Sequence, residues 1–305
     1  MQIIGHKKIY LTVSAILVVA SVVAMSIWGL NLGLDFTGGS LWEIEFKGER
    51  PGKEDILANL AIYKLDDAVF QPTGEKGLIM KFRPVNENTH ESIKRALNDV
   101  YPLEEKRFES IGPVIGQELK KKSIKAIIYV LVLIIIYIAW AFRKVSQPVS
   151  SWKYGLIAVL ALTHDVAIPT GIFALLGRFK GVEVDAYFVT AILTILGFSV
   201  HDTIVVFDRI RENLRKNPSE QFPITVNSSI NETLARSINT SLTVFLVLLA
   251  TYFLGGESVK NLILALILGV FFGTYSSIFV ASPLLTIWSS KKRWWTQISV
   301  RINAE

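Results

Sequence analysis

The chain has 305 residues, 51% of them hydrophobic, only 19% charged, with a net charge of +6 and no cysteine. Disulfides, thiolate nucleophiles and cysteine-based metal sites are excluded. The basic residues flank apolar runs and are not interleaved with aromatics, so the charge reads as topological, and no nucleic-acid partner is expected.

Apolar runs of about 20 residues, the length that carries a helix across roughly 30 Å of hydrocarbon, recur along the chain. Six spans are expected, at about 9–29, 124–142, 152–177, 186–207, 236–254 and 261–288. The first follows Lys7 and Lys8. Its run is too long for a cleaved signal and no small-x-small site precedes Asn31, so it reads as a retained anchor. Residues 1–30 thus form a cytoplasmic start and first span, 31–123 an exported domain, 124–290 spans two to six, and 291–305 a basic cytoplasmic tail. With this topology about fourteen Lys and Arg face inward against about three in the short outer loops, which places both termini in the cytoplasm. The run Lys120–Lys122 with Lys125 goes against this count, but long exported domains are partly exempt from the rule.

The turn "LDFTGGS" (34–40) has Gly38 and Gly39 but no Lys-Ser/Thr to hold a phosphate, and reads as a tight turn after the first span. Beyond it "LWEIEF" alternates as a strand and "KEDILANLAIYKL" has helical spacing. "DAVFQPTGEKGLIMKFRP" reads as two strands joined through Thr73–Gly77. "NENTHESIKRALNDVYP" is a second helix, with Asn88 or Thr89 as N-cap, and "EKRFESI" a last strand. The order βαββαβ is that of an α+β ferredoxin-like domain.

No Walker loop, HExxH or GxSxG is present. Ser199, His201 and Asp202 lie within four residues, but on a helix Ser199 and Asp202 share a face while His201 points elsewhere, so no hydrolytic triad forms. His164 and His201 each precede an Asp, too few ligands for a metal, and none is expected.

The informative residue is Asp202, which interrupts the fourth span about 8 Å inside its cytoplasmic end; Asp165 falls near the middle of the third. A charge at this depth costs about 2.5–3.5 kcal/mol, and such residues face a bundle interior or a hydrated path. Removal from water favours the neutral carboxyl, so an acid there is suited to binding and releasing a proton. Arg236 opens the fifth span on the same side and is expected to pair with Asp202 and release it in turn. Thr203, Ser199, Thr240, Ser241 and Thr243 are expected to hold water or lend hydroxyls. Asp208 reads as interfacial. Gly269 and Gly273, with Ser276 and Ser277 one turn on, form a close-packing face on the sixth span.

Four ordered segments, "LGLDFTGGSLWEIEF", "GPVIGQELKKKSIKA", "GFSVHDTIVVFDRIREN" and "GTYSSIFVASP", together resemble the SecF family, the smaller half of the SecD–SecF protein-export complex, related to the RND transporters. The similarity runs from first span to last. It implies six spans, half of a twelve-helix bundle, in the cytoplasmic (inner) membrane. It also implies a SecD partner, association with the SecYEG translocon and, in many bacteria, YajC. Proton motive force then draws emerging preprotein across after the SecA-driven stage. The family's fourth-span Asp maps to Asp202 and its fifth-span Arg to Arg236, while a second carboxylate of the route belongs to SecD. Where the family often has Asn, this chain has His201, whose reference pKa of about 6.5 suits it to tune or share the proton. The chain is expected to be no enzyme and to use no cofactor beyond the coupling ion, H+ or alternatively Na+. The competing classes are an RND-type exporter of small molecules or lipids, for which a 90-residue outer domain leaves little room, and a structural assembly factor.

Overall fold

Among the described residues, six helices are long and apolar enough to cross a membrane. The computed structural model describes residues 1–65, 68–141, 150–256 and 259–289. The expected basic tail at 291–305, and Arg143 and Lys144, lie outside them. The chain divides into two compact units, Leu32–Ile124 and Met1–Asn31 with the chain from Lys125 onward.

The first helix is α1 (Lys7–Trp28), followed by the single turn α2 (Leu34–Thr37). The smaller unit then runs β1 (Gly39–Phe46), α3 (Lys53–Asn59), β2 (Val69–Thr73), β3 (Gly77–Phe82), α4 (Glu87–Val100) and β4 (Leu103–Ile111). Every strand pairing is antiparallel, and the sheet order is β2-β3-β1-β4. This is the βαββαβ plan expected for a ferredoxin-like domain. Alternation puts Trp42, Ile44 and Phe46 of β1 on one face, where they pack with Ile56 of α3 and Ile93 and Leu97 of α4. The N-cap of α4 is Asn86, whose side chain accepts from the Thr89 amide at 2.9 Å, so the helix starts earlier than Asn88 or Thr89.

Gly38 has φ +77°, and a Cβ there would lie 2.8 Å from the Pro113 Cα. Both the backbone conformation and the close approach exclude a side chain. The turn therefore seats the start of β1 against the first residue of α5 (Pro113–Ala141).

The remaining helices are α6 (Ser151–Lys180), α7 (Ala186–Lys216), α8 (Phe222–Leu254) and α9 (Lys260–Ser276). After α9 a π turn, Ser277–Ala281, leads into further helix, and the last span runs to Ser289. Inside the membrane unit, α6, α7 and α9 bury half or more of their apolar length, while α1, α5 and α8 bury less than a fifth. α9 packs on α7 and α8, and α1 packs on α6. Helices α5, α7 and α8 extend well beyond the apolar runs: α8 begins at Phe222, fourteen residues before Arg236. Its first turns carry Thr225, Ser229 and Thr233 on the buried face, a polar continuation that hydropathy alone leaves out.

Candidate functional site

The sequence GVFFGTYSS determines the site. Gly269 and Gly273 lie four apart on one face of α9. A Cβ on Gly269 would overlap Ile195 of α7, and one on Gly273 would sit 3.1 Å from Ser199 Cβ. Small residues let the two helix backbones approach. One turn further on, Ser276 and Ser277 are thereby brought against α6 and α7, where the π turn begins.

Asp202 of α7 is 8% exposed and accepts two hydroxyls. Ser237 of α8 donates to its Oδ1 at 2.5 Å, and Ser277 donates to its Oδ2. No cation is paired with it among the described residues. Asp165 of α6 is fully buried and accepts three bonds. His164 Nδ1 meets its Oδ1 at 2.9 Å; Ser199 of α7, and Ser276 at 2.8 Å, donate to its Oδ2. Ser199, expected beside Asp202 from helical spacing, thus serves Asp165.

Arg236 directly precedes Ser237 but is exposed and pairs with no carboxylate among the described residues. It lines an open cavity of about 390 Å³ between α7 and α8 with Val205, Asp208, Arg209, Glu212, Glu232 and Thr233. Arg209 bonds both Glu232 and, at 2.6 Å, Glu212, so the cavity wall is a charged network that begins about two turns along α7 from Asp202. Arg236, Asn239, Thr240 and Thr243 are all exposed and follow i, i+3, i+4, i+7 spacing, one polar face of α8. Thr243 bonds back to the Asn239 carbonyl at 2.5 Å, Ser241 accepts from Thr274 of α9 at 2.6 Å, and Thr203 is buried in α7. His201 is exposed and points away from the Asp202 cluster. No group of three His, Asp or Glu side chains placed to hold a metal occurs among the described residues.

Sequence reasoning missed Ser237 altogether and treated Ser276 and Ser277 as packing residues only. The signal available was their small size within an apolar span. What they touch is set by residues 35 to 111 positions away.

The chain matches two family models: "Protein export membrane protein SecD/SecF, C-terminal" over residues 92–291, and "SecD/SecF GG Motif" over residues 23–49. The chain belongs to the SecD/SecF family of protein-export membrane proteins. It is 43% identical to the protein translocase subunit SecF of Thermobaculum terrenum, over 95% of this chain and 94% of that one. It is 36% identical to SecF of Haemophilus influenzae, over 90% and 82%. The crystal structure of SecDF from Thermus thermophilus, described as a translocon-associated membrane protein, superposes with a TM-score of 0.81 at 32% identity, covering 95% of this chain and 39% of that chain. SecDF in a super-membrane-facing form gives 0.69. Within the family the chain is a multi-pass membrane protein of the SecF translocase-subunit type, and its relatives are named as translocase subunits and not as enzymes. The GG-motif model covers Gly38 and Gly39, the turn that seats β1 against α5.

Proposed function

We propose that the chain is the SecF-like half of a SecD–SecF motor that uses proton motive force to promote preprotein translocation through SecYEG after the SecA-driven stage, with YajC as a further associate. One observation carries this reading: the membrane carboxylate Asp202 is held by hydroxyls from two neighbouring helices and, among the described residues, by no fixed cation. Hydroxyls serve either protonation form, since each donates and accepts. A proton can therefore arrive without breaking a buried ion pair, a step that costs about 3–5 kcal/mol. Losing the charge changes what Ser237 of α8 and Ser277 of the π turn are bonded to, so proton binding is transmitted to two helices at once. Arg236, one residue from Ser237 and without a carboxylate partner among the described residues, is a cation placed to pair with Asp202 in a second arrangement. The charged cavity below supplies the cytoplasmic route.

The SecD partner rests on two supports. Fused relatives carry the name SecDF, and this chain spans 35% of the Thermus thermophilus SecDF length. The face of α8 carrying Arg236, Asn239, Thr240 and Thr243 is costly against acyl chains and calls for protein or water beside it. Both termini are then cytoplasmic, and the ferredoxin-like domain meets the exported preprotein.

Asp202→Asn keeps the size of the side chain and removes its titration. In vesicles holding both halves and the translocon, this variant should lose gradient-stimulated export while SecA-driven export persists. Export stimulation that survives intact overturns the reading. Repeating the assay with a sodium gradient in place of a proton gradient identifies the coupling ion.

A further inference from the structure

Among the described residues, His164 Nε2 on α6 and Ser14 Oγ on α1 are polar atoms without a hydrogen-bond partner, in residues that are 4% and 3% exposed. Their relative position follows from the packing of the two helices. A Cβ on Gly171 would overlap Ser21, and one on Gly177 would lie 3.0 Å from Asn31 Cβ. Both pairs advance in the same direction along the chain, so α1 and α6 run parallel. Seven residues earlier on each, two turns and about 10.5 Å back, stand Ser14 and His164. A second contact agrees. Tyr275, whose ring lies parallel to the His164 imidazole at 6.1 Å, donates to the Tyr10 carbonyl at 3.3 Å, one turn before Ser14. The two unpartnered atoms therefore belong to residues at the same level of the packed helices α1 and α6, beside Tyr275 of α9.

The other edge of the imidazole is bonded to Asp165. Three side chains, His164, Ser199 and Ser276, converge on the Asp165 carboxyl, and its one ion-pair partner among the described residues is His164. Among the described residues the ring contacts are Tyr275 and Phe272 of α9, the carboxyl also meets Ser199 of α7 and Ser276, and Ser14 of α1 stands at the level of the ring. None of these carries a formal charge at neutral pH. An unbalanced anion at this depth is expensive, and among these groups the imidazole is the one that can balance an ionised Asp165, by carrying a proton.

We propose that His164, Asp165 and Ser14 form a second proton-holding site in this chain, separate from Asp202. It is a neutral imidazolium–carboxylate pair whose outward N–H is bonded to Ser14 Oγ through one water-sized oxygen. Protonation of Nε2 turns an unpaired acceptor into a donor, and the Ser14 hydroxyl is the acceptor at its level. A single water has enough polar partners there to be held. The site lies on the α1 side of α6, whereas Asp202 faces α8, so the chain keeps protons on two sides of the α6–α7–α9 layer.

The test uses the full chain in lipid bilayers with nitrogen-labelled histidine, and the His164 signal is identified by its loss in His164→Gln. At neutral pH His164 should show the doubly protonated signature and keep it in Asp202→Asn. It should lose that signature in Asp165→Asn, and in Ser14→Ala the Nε2 proton should exchange with solvent several-fold faster. A wild-type His164 that is a neutral single tautomer at neutral pH overturns the proposal. So does an unchanged signal in Asp165→Asn. If Asp165→Asn does not fold, the wild-type spectrum and Ser14→Ala still decide. Because the readout is the charge on one ring, its failure is distinct from any loss of gradient-driven export in Asp202→Asn.

Discussion

Ser276 and Ser277 are neighbours in the chain, yet their hydroxyls donate to different carboxylates on different helices, Ser276 to Asp165 of α6 and Ser277 to Asp202 of α7. Adjacent residues on a regular helix project about 100° apart, and here the π turn that begins at Ser277 sets the second one. One backbone segment therefore senses both membrane acids.

Ser277→Ala should be a functional lesion and not a folding one. It removes one of two donors to Asp202, and a hydrogen bond to a charged group contributes about 1.5–3 kcal/mol, roughly tenfold or more in any equilibrium that depends on it. Gradient-driven export in vesicles should slow by at least that factor. Ser277→Thr, which keeps the hydroxyl, should recover most of it. Ser237→Ala should behave as Ser277→Ala does, since it removes the other donor.

Gly273→Val addresses the packing that makes the cluster. The Cβ alone would stand 3.1 Å from Ser199 Cβ, and the added methyls have nowhere to go without separating α7 and α9. Overpacking of this kind costs about 1–3 kcal/mol. A lower unfolding midpoint in detergent should accompany weakened export, because Ser199, Ser276 and Ser277 are displaced together.

The number of spans, the strand and helix order of the outer domain and the presence of an acid in the fourth span were legible in the sequence, because each is a local pattern. The helix starts were less so. α5 begins at Pro113 and α8 at Phe222, each well before its apolar run, since a helix continues through polar residues once its backbone is ordered. The start of α4 at Asn86 was obscured by a run of polar residues, any of which could cap. The partners of the carboxylates were least legible. Helical spacing suggested Ser199 for Asp202, but Asp165 from another helix takes it, and Ser237 and Ser277 fill the place. Such pairings depend on which helices pack, and one sequence does not carry that information. His164, set aside as a metal ligand in the sequence, stands beside a carboxylate and the rings of Phe272 and Tyr275, neighbours that lie on another helix or that spacing alone does not assign.

Asn86→Ala tests the ferredoxin-like domain separately from the membrane unit. The side chain caps the Thr89 amide, and losing such a cap costs about 1 kcal/mol. Hydrogen exchange in the full chain should quicken along the first turns of α4, with little change in α6, α7 or α9.

The ferredoxin-like domain should also respond to acid through Glu105 of β4. Its carboxylate accepts from the Trp42 indole at 2.6 Å, from His90 Nε2 at 2.8 Å and from Lys94 at 3.1 Å, tying β1, α4 and β4 together. Burial pushes the Glu105 carboxyl up, but the hydrogen bonds from Lys94 and Trp42, with the nearby positive charge, outweigh it and hold it below the ordinary 4.5. The bond to Glu105 in turn raises the Lys94 ammonium above its ordinary 10.5. A carboxyl with a depressed folded pKa binds fewer protons folded than unfolded, so its contribution is complete above about 4.5 and fades as pH falls through the folded value. The contribution of Lys94 has the opposite sense, complete below about 10.5 and lost only in strong alkali. Between these limits the cluster should be insensitive to pH. Amide protection in β1 and β4 of the full chain, exchange taken relative to the intrinsic rate at each pH, should therefore be flat from neutral down to about pH 5 and fall below it. In Glu105→Gln, exchange should be faster at neutral pH, and the acid limb should flatten. If the variant keeps the wild-type acid limb, another carboxylate carries it and the Glu105 cluster does not.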